Sequence, residues 1–264
     1  MRPRSLGLAA LLGGLLLPLL PILVWAVSGQ WRYPALVPTE LSMRALALLG
    51  SSGSGFFEAL RNSAVIATTV AVVAGGIGLS AGRALGLYDF RGKRAVQFAM
   101  LAPVIVPGLA VTLGIHVLFI RYGLTNTIAG IVLVHLIPTI PYVTLVMSSV
   151  YANYDIAYEQ QARVLGARPS QVLRHVTLPR VFPGLAVAML FAFLISWSEY
   201  ILTLLIGGGR VRTLPILLFS FLGGSDTAVI AALSLAFIGP SLVLLVVTSR
   251  YLSGSDAMAG FGRL

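Results

Sequence analysis

An all-α, polytopic membrane protein is expected, on three grounds. Of 264 residues, 58% are hydrophobic and only 10% charged, at a mean hydropathy of +0.95. A soluble domain carries roughly a quarter charged residues because its surface faces water, and here there are too few to clothe one. The apolar residues gather into runs, Leu6–Val27, Phe98–Ile120 and Gly184–Ile206 among them, each near or above the ~20 residues that cross a hydrocarbon core. The charges fall between the runs in short segments, so a net charge of +10 makes no basic stripe interleaved with aromatics, the footprint of a nucleic-acid binder. There are no cysteines, which excludes disulfides and thiol chemistry.

About six transmembrane helices follow in chain order. The first is Leu6–Val27, behind Arg2 and Arg4. A basic start and an apolar run also describe a signal peptide, but this run is longer than a signal core and Ala26–Gly29 makes a poor cleavage site. Asn62–Leu79 begins the second span, Phe98–Ile120 is the third, Thr127–Met147 the fourth, Gly184–Ile206 the fifth and Ala228–Thr248 the sixth. Pro103, Pro107, Gly108, Pro138 and Pro141 do not veto helices, since membrane helices accept both residue types where neighbours re-satisfy the backbone. The basic residues set the orientation. With the N-terminus inside, twelve of the 18 Lys and Arg fall in cytoplasmic segments (Arg83, Arg91, Lys93 and Arg94 among them) and six outside. This is the positive-inside bias and puts both termini in the cytoplasm.

Three segments emerge: 1–61, a span plus an external loop; 62–252, a core of five spans; and a tail over 253–264. In the external loop, Leu41, Ala45, Leu48 and Leu49 follow helical spacing behind Thr39, a candidate N-cap. Trp25, Trp31 and Tyr33 read as interface anchors.

The patterned cytoplasmic loop is 151–183. Tyr158, Gln161, Ala162 and Leu165 share one helical face. Gly166 suits a C-terminal cap, and Pro169 the first turn of a second helix, which runs toward His175 and stops at Leu178-Pro179. Two short helices meeting at a glycine below the membrane, with no catalytic groups, look like a docking element for a soluble partner.

The run Gln160-Gln161-Ala162-Arg163-Val164-Leu165-Gly166, followed by Val176-Thr177-Leu178-Pro179, resembles the EAA loop of binding-protein-dependent ABC importer permeases: E-A-A, three residues, G, nine residues, an aliphatic residue, any residue, L-P. Gln160 replaces the family's Glu and Gln161 its first Ala, while Glu159 stands one place earlier, about 100° around the helix. Phe90-Arg91-Gly92-Lys93-Arg94, Val106-Pro107-Gly108, Ser196-Trp197-Ser198-Glu199-Tyr200 and Arg212-Thr213-Leu214-Pro215 resemble the same permeases. The resemblance implies an EAA-type coupling helix that docks on an ATPase through Glu159, Gln160, Gln161, Ala162, Leu165, Gly166, Ala167, Val176, Leu178 and Pro179. It also implies two ATPase subunits, a second homologous permease, an external substrate-binding protein and membrane lipid as partners. ATP and magnesium belong to the ATPase. This chain has no G-x-x-x-x-G-K-[ST] segment, and no cofactor or enzymatic activity of its own is expected.

For the substrate, Leu165-Gly166-Ala167 and His135 look like the second permease of spermidine/putrescine systems, so polyamine uptake is favoured. Sugar or sugar-phosphate uptake is the alternative, since Ser196–Tyr200 is similar to sugar permeases too. Glu199 is the one acidic residue well inside an expected span. An ionised carboxylate there needs a cavity or a partner, so Glu199, Trp197, Tyr200 and His135 are the candidate pathway residues, weighed against interhelical hydrogen bonding for Glu199, His116 and His135. An ion-coupled secondary transporter is the rival from another class, though paired intramembrane charges and repeat halves are not evident.

Overall fold

The computed structural model describes residues 13–14, 17–29, 31, 38, 40–106, 108–224 and 226–252, and side chains at all of these except 104, 108–111 and 250–252. Arg2, Arg4, Leu6, Tyr33, Thr39, Pro107 and the tail over 253–264 lie outside them. Among the described residues the chain is all-α, with one isolated backbone bridge between Ser28 and Leu41. The helices in order are α1 (Leu19–Ala26), α2 (Arg44–Gly50), α3 (Phe56–Leu87), α4 (Lys93–Ile105), α5 (Gly108–Arg121), α6 (Ile128–Ala152), α7 (Ala157–Val164), α8 (Pro169–Val172), α9 (Leu178–Ser198), α10 (Ile201–Gly207), α11 (Leu214–Leu222) and α12 (Thr227–Leu252). A π-helical turn, Leu173–Thr177, joins α8 to α9.

Among the described residues, four stretches are long and apolar enough to cross a membrane: Phe56–Leu87, Ile128–Ala152, Pro169–Ser198 and Thr227–Ser249. The expected third span is interrupted. Val106 is extended (φ −77°, ψ 134°) and separates α4 from α5, of 13 and 14 residues. It precedes Pro107 in the sequence, and a residue before proline is pushed out of the α region. The expected fifth span is interrupted at Glu199, whose φ −73° and ψ 113° end α9. In this last turn the Ser198 hydroxyl donates to the carbonyls of Leu194 (2.9 Å) and Ile195 (3.3 Å), a local bond that competes with the helix ladder. Nor does the loop's second helix stop at Leu178-Pro179. Through the π turn the Leu178 N–H bonds Leu173 O, five residues back. The widened turn lifts the chain clear of the clash a proline makes with the carbonyl four residues before it, and the helix runs on into α9.

The described residues fall into two units, 62–211 with 243 onward, and residues up to 61 with 212–242. The first holds a core of Ile66, Val70, Val134, Val143, Met147, Leu185 and Ala188 with their neighbours. A row of glycines lets α3 lie against α6. A Cβ on Gly78 would meet Val143, one on Gly82 would fall 2.9 Å from the Met147 carbonyl carbon, and one on Gly86 would fall 2.6 Å from Ser148 O. Small residues at such spacing let membrane helices approach closely and pack by dispersion. α9 uses the same device, Gly184 sitting against Val150 of α6, and the rings of Tyr142 and Phe191 meet at 5.6 Å.

In the second unit, Gly29 N–H bonds Glu40 O at 2.9 Å and Ser42 N–H bonds Val27 O at 2.8 Å, which ties the end of α1 to the approach to α2. The expected helix in this loop starts later than its spacing suggested. Ala45 and Leu49 are buried, while Leu41 and Leu48 are exposed. The first residue of α2, Arg44, pairs with Asp226 at 2.7 Å.

Candidate functional site

The loop after α6 is shaped by local chemistry. Asp155 Oδ1 accepts the Ala157 N–H at 2.9 Å and opens α7. At the other end Gly166 takes φ +85°, its N–H bonds Arg163 O at 2.9 Å, and the Ala167 N–H bonds Ala162 O at 3.0 Å. This pair of bonds is the Schellman cap, which places a left-handed residue just past the helix. A Cβ at Gly166 would touch nothing within 4 Å, so glycine is required there for its backbone angle alone. Pro169 then stands in the first turn of α8, and the Gln171 side-chain oxygen accepts the Arg168 N–H at 2.8 Å.

α7 has two different faces. Gln160, Gln161, Val164 and Leu165 are exposed, the last two at 87%. Ala162, Ala167, Val176 and Leu178 are half-buried and Pro179 is exposed. Glu159 points inward and is 1% exposed. Its carboxylate is held by both Nη atoms of Arg83, each at 2.7 Å, and by the Thr177 hydroxyl, which donates at 2.7 Å. Arg163 lies further off at 3.6 Å. The Arg83 guanidinium, followed by the Thr177 hydroxyl among the favourable contacts, outweighs burial and holds the Glu159 carboxyl below the usual carboxylate range. Arg83 itself lies 5.9 Å from the Tyr151 ring centroid, and Arg180 sits over the Tyr158 ring at 3.4 Å. Glu159, grouped from sequence with the docking residues, thus faces the interior, while Gln160, about 100° around α7, and Leu165 are exposed. Arg83 and Thr177 were not singled out, because nothing in local spacing marks a partnership across 76 positions.

The four candidate pathway residues surround the break between α9 and α10 but do different things. Glu199 Oε1 accepts the Leu202 N–H at 3.1 Å and its backbone carbonyl accepts the Thr203 hydroxyl at 2.9 Å, so its side chain caps α10. His135 of α6 is buried, with Nδ1 2.8 Å from Ser196 Oγ and Nε2 3.0 Å from Thr203 Oγ1. It therefore bridges the break, one nitrogen to each helix. Trp197 is 2% exposed and stacks on Phe193 at 5.4 Å, while Tyr200 is half-buried at the start of α10. His116 is half-buried on α5.

Long apolar helices packed through glycines, one of them broken at Glu199 where the Glu199 and Thr203 side chains meet the backbone, define a multi-pass membrane protein. The chain belongs to the family of binding-protein-dependent transport system inner membrane components, whose family model matches residues 74–253. It is similar to the spermidine/putrescine transport system permease protein PotC of Haemophilus influenzae, 29% identical over 70% of this chain and 71% of that protein. It is also similar to the molybdenum transport system permease protein ModB of Mycobacterium tuberculosis, 28% identical over 96% and 97% of the two chains. The diacetylchitobiose uptake system permease protein DasC of Streptomyces coelicolor is 26% identical over 82% and 79%. Among solved structures, a chain of a bacterial ABC transporter that imports the acidic polysaccharide alginate superposes with a TM-score of 0.72 at 19% identity, over 95% of each chain, and shows the shared fold. The protein is thus a transmembrane permease subunit of an ABC importer in the inner membrane, and not itself an enzyme. Membership sets aside the ion-coupled alternative. The relatives serve several import systems, so the polyamine-type resemblance is one among several.

Proposed function

We propose that the chain is one of two permeases that together enclose the pathway of an ATP-driven importer, and that α7 is the helix on which its ATPase docks. The observation that carries this is the division of α7 into a buried side anchored by Glu159 and a free side bearing Gln160, Gln161, Val164 and Leu165. An apolar tip standing in water, on a helix whose other side is fixed to the protein, suits a groove in a soluble partner. In this reading Gln160 occupies the family's Glu position, and Ala162, Gly166, Ala167, Val176, Leu178 and Pro179 shape the loop from behind. Two ATPase subunits carry ATP and magnesium, and an external binding protein delivers solute. One solved alginate transporter of the same fold is in complex with a pentasaccharide-bound periplasmic protein. Six spans are counted by taking α4 with α5 as the third and α9 with α10 as the fifth, with both termini in the cytoplasm.

For the solute, sugar or sugar-phosphate uptake is favoured over polyamine uptake. The polyamine reading needs a carboxylate open to a cation, whereas Glu199 spends one oxygen on the Leu202 N–H. Diacetylchitobiose uptake by one relative supports the same choice. The test of the central reading is ATPase co-purification and nucleotide turnover of the complex in lipid nanodiscs with Gly166→Pro. Proline cannot take φ +85° and lacks the N–H that bonds Arg163. Loss of the ATPase or of its turnover is expected. An intact, fully active complex refutes the docking role of α7.

A further inference from the structure

Three elements distant in sequence meet at one carboxylate. Arg83 lies near the end of α3, a helix of 32 residues and roughly 48 Å long at 1.5 Å per residue, well beyond the ~30 Å hydrocarbon core. Glu159 lies on α7, and Thr177 is the buried last residue of the π turn that feeds α9. Two parallel N–H···O bonds of 2.7 Å and one O–H···O bond of 2.7 Å fix orientation as well as distance, which a single bond does not. Tyr151, the last aromatic of α6, covers the guanidinium. Packing alone does not demand such a group, since apolar residues of similar volume commonly replace a buried ion pair without loss of stability. What apolar contacts do not supply is directional attachment. On either side α7 is flanked by non-helical chain, the Gly166 turn and the Asn153–Ile156 stretch.

We propose that Arg83, Glu159 and Thr177 are positioning residues for transport: they form the rigid joint that carries a displacement of α7 into α3 and α9. This rests on the reading of α7 as the docking helix. With the joint whole, a push on the exposed tip at Val164 and Leu165 moves the three elements as one body. With it cut, α7 turns about its two non-helical flanks and the push is absorbed there.

The chain's lack of cysteines makes the test direct. In the complex purified through a tag on this chain and held in lipid nanodiscs, Ser198→Cys, exposed beside the helix break, is reacted with a water-soluble maleimide. Its labelling rate is compared without nucleotide and with magnesium-ATP and vanadate, at equal amounts of trapped nucleotide. Arg83→Met and Glu159→Gln are expected to shrink the nucleotide-dependent rate change at least about fivefold, the lower end of usual couplings between sites. The double variant Arg83→Met/Glu159→Met strands no buried charge and is expected to assemble as the native chain does, yet still lose the rate change. A double variant that regains it, or single variants that keep it, reduces the joint to packing and overturns the proposal. Leu165→Asp separates the two readings. If it strips the ATPase while the joint variants respond like the native chain, only the joint proposal fails. If the ATPase stays bound to Leu165→Asp, the docking reading fails and takes the joint with it.

Discussion

Replacing Gly82 by alanine adds one methyl group where α3 leans on α6. The new Cβ would meet the Met147 side chain and fall 2.9 Å from both the Met147 carbonyl carbon and the Ser148 nitrogen. Two of those three contacts are backbone atoms, so the strain is relieved only by moving one helix off the other. Overpacking of that kind costs about 1–3 kcal/mol. Against it stands the helix-propensity gain of Gly→Ala, about 1 kcal/mol. Gly76, two turns earlier, provides the control, because its added Cβ touches nothing within 4 Å and only the gain remains. The two variants should differ by about 1–3 kcal/mol, Gly82→Ala being the weaker, which is a gap of roughly 2–12 °C in midpoint for a chain of this size. Thermal unfolding of both variants in one detergent, followed by a fluorescence or light-scattering probe, measures it. Equal midpoints would falsify the close approach of α3 to α6 and the reason given for glycine at Gly78, Gly82 and Gly86.

Three further outcomes follow from single groups. Glu199→Gln keeps an oxygen for the Leu202 N–H and should leave stability nearly unchanged, whereas Glu199→Leu loses the cap at about 1 kcal/mol; selective loss of polyamine uptake in a stable Glu199→Gln importer would instead restore the cation reading. Arg44→Ala removes an ion pair whose side chains are 47% and 37% exposed, worth about 0–1 kcal/mol. Asp226→Ala should cost more, because Asp226 also accepts the Val229 N–H at 3.3 Å at the start of α12, and denaturant titration of the two variants ranks them. The Glu159 carboxyl is depressed in the folded protein chiefly by Arg83, so its stabilisation is present above the unfolded-state carboxylate range and lost only as pH falls through the lower folded value. The stability gap between the native chain and Glu159→Gln should therefore be full above the ordinary carboxylate range, narrow progressively as pH falls through it and close below the lower folded value. A gap that closes already near pH 6 contradicts the pairing.

What the sequence made legible was local. Gly166 and Pro169 announce the turn between α7 and α8 because positive φ and a missing N–H each admit few residues, and the apolar runs announce spans because the bilayer demands length. The interruptions were harder. Pro107 follows the one at Val106 in the sequence, yet the expected span runs through it, because proline is also tolerated inside membrane helices, as Pro138 and Pro141 are in α6, and composition does not distinguish the cases. The break at Glu199 has no glycine or proline beside it; its backbone groups are met by the Glu199 and Thr203 side chains, and His135 of another helix bridges the two hydroxyls that flank it. The continuation past Pro179 depends on a π turn, which no residue type specifies. The placement of Glu159 was the least legible, since the same carboxylate one position from Gln160 faces a partner or the interior according to which turn of α3 carries an arginine.

Seen as a unit of exchange, the loop does not end where its sequence motif ends. A graft of 151–179 into another permease would carry Glu159 and Thr177 but leave Arg83 behind, and the transplanted carboxylate would arrive inside the host with no cation to meet it. Hybrids built on the motif alone should then misassemble for a reason unrelated to ATPase recognition, and adding one arginine at the matching depth of the host's helix should repair them. The smallest portable piece of this anchored loop is discontinuous: one loop, and one residue 76 positions upstream of Glu159.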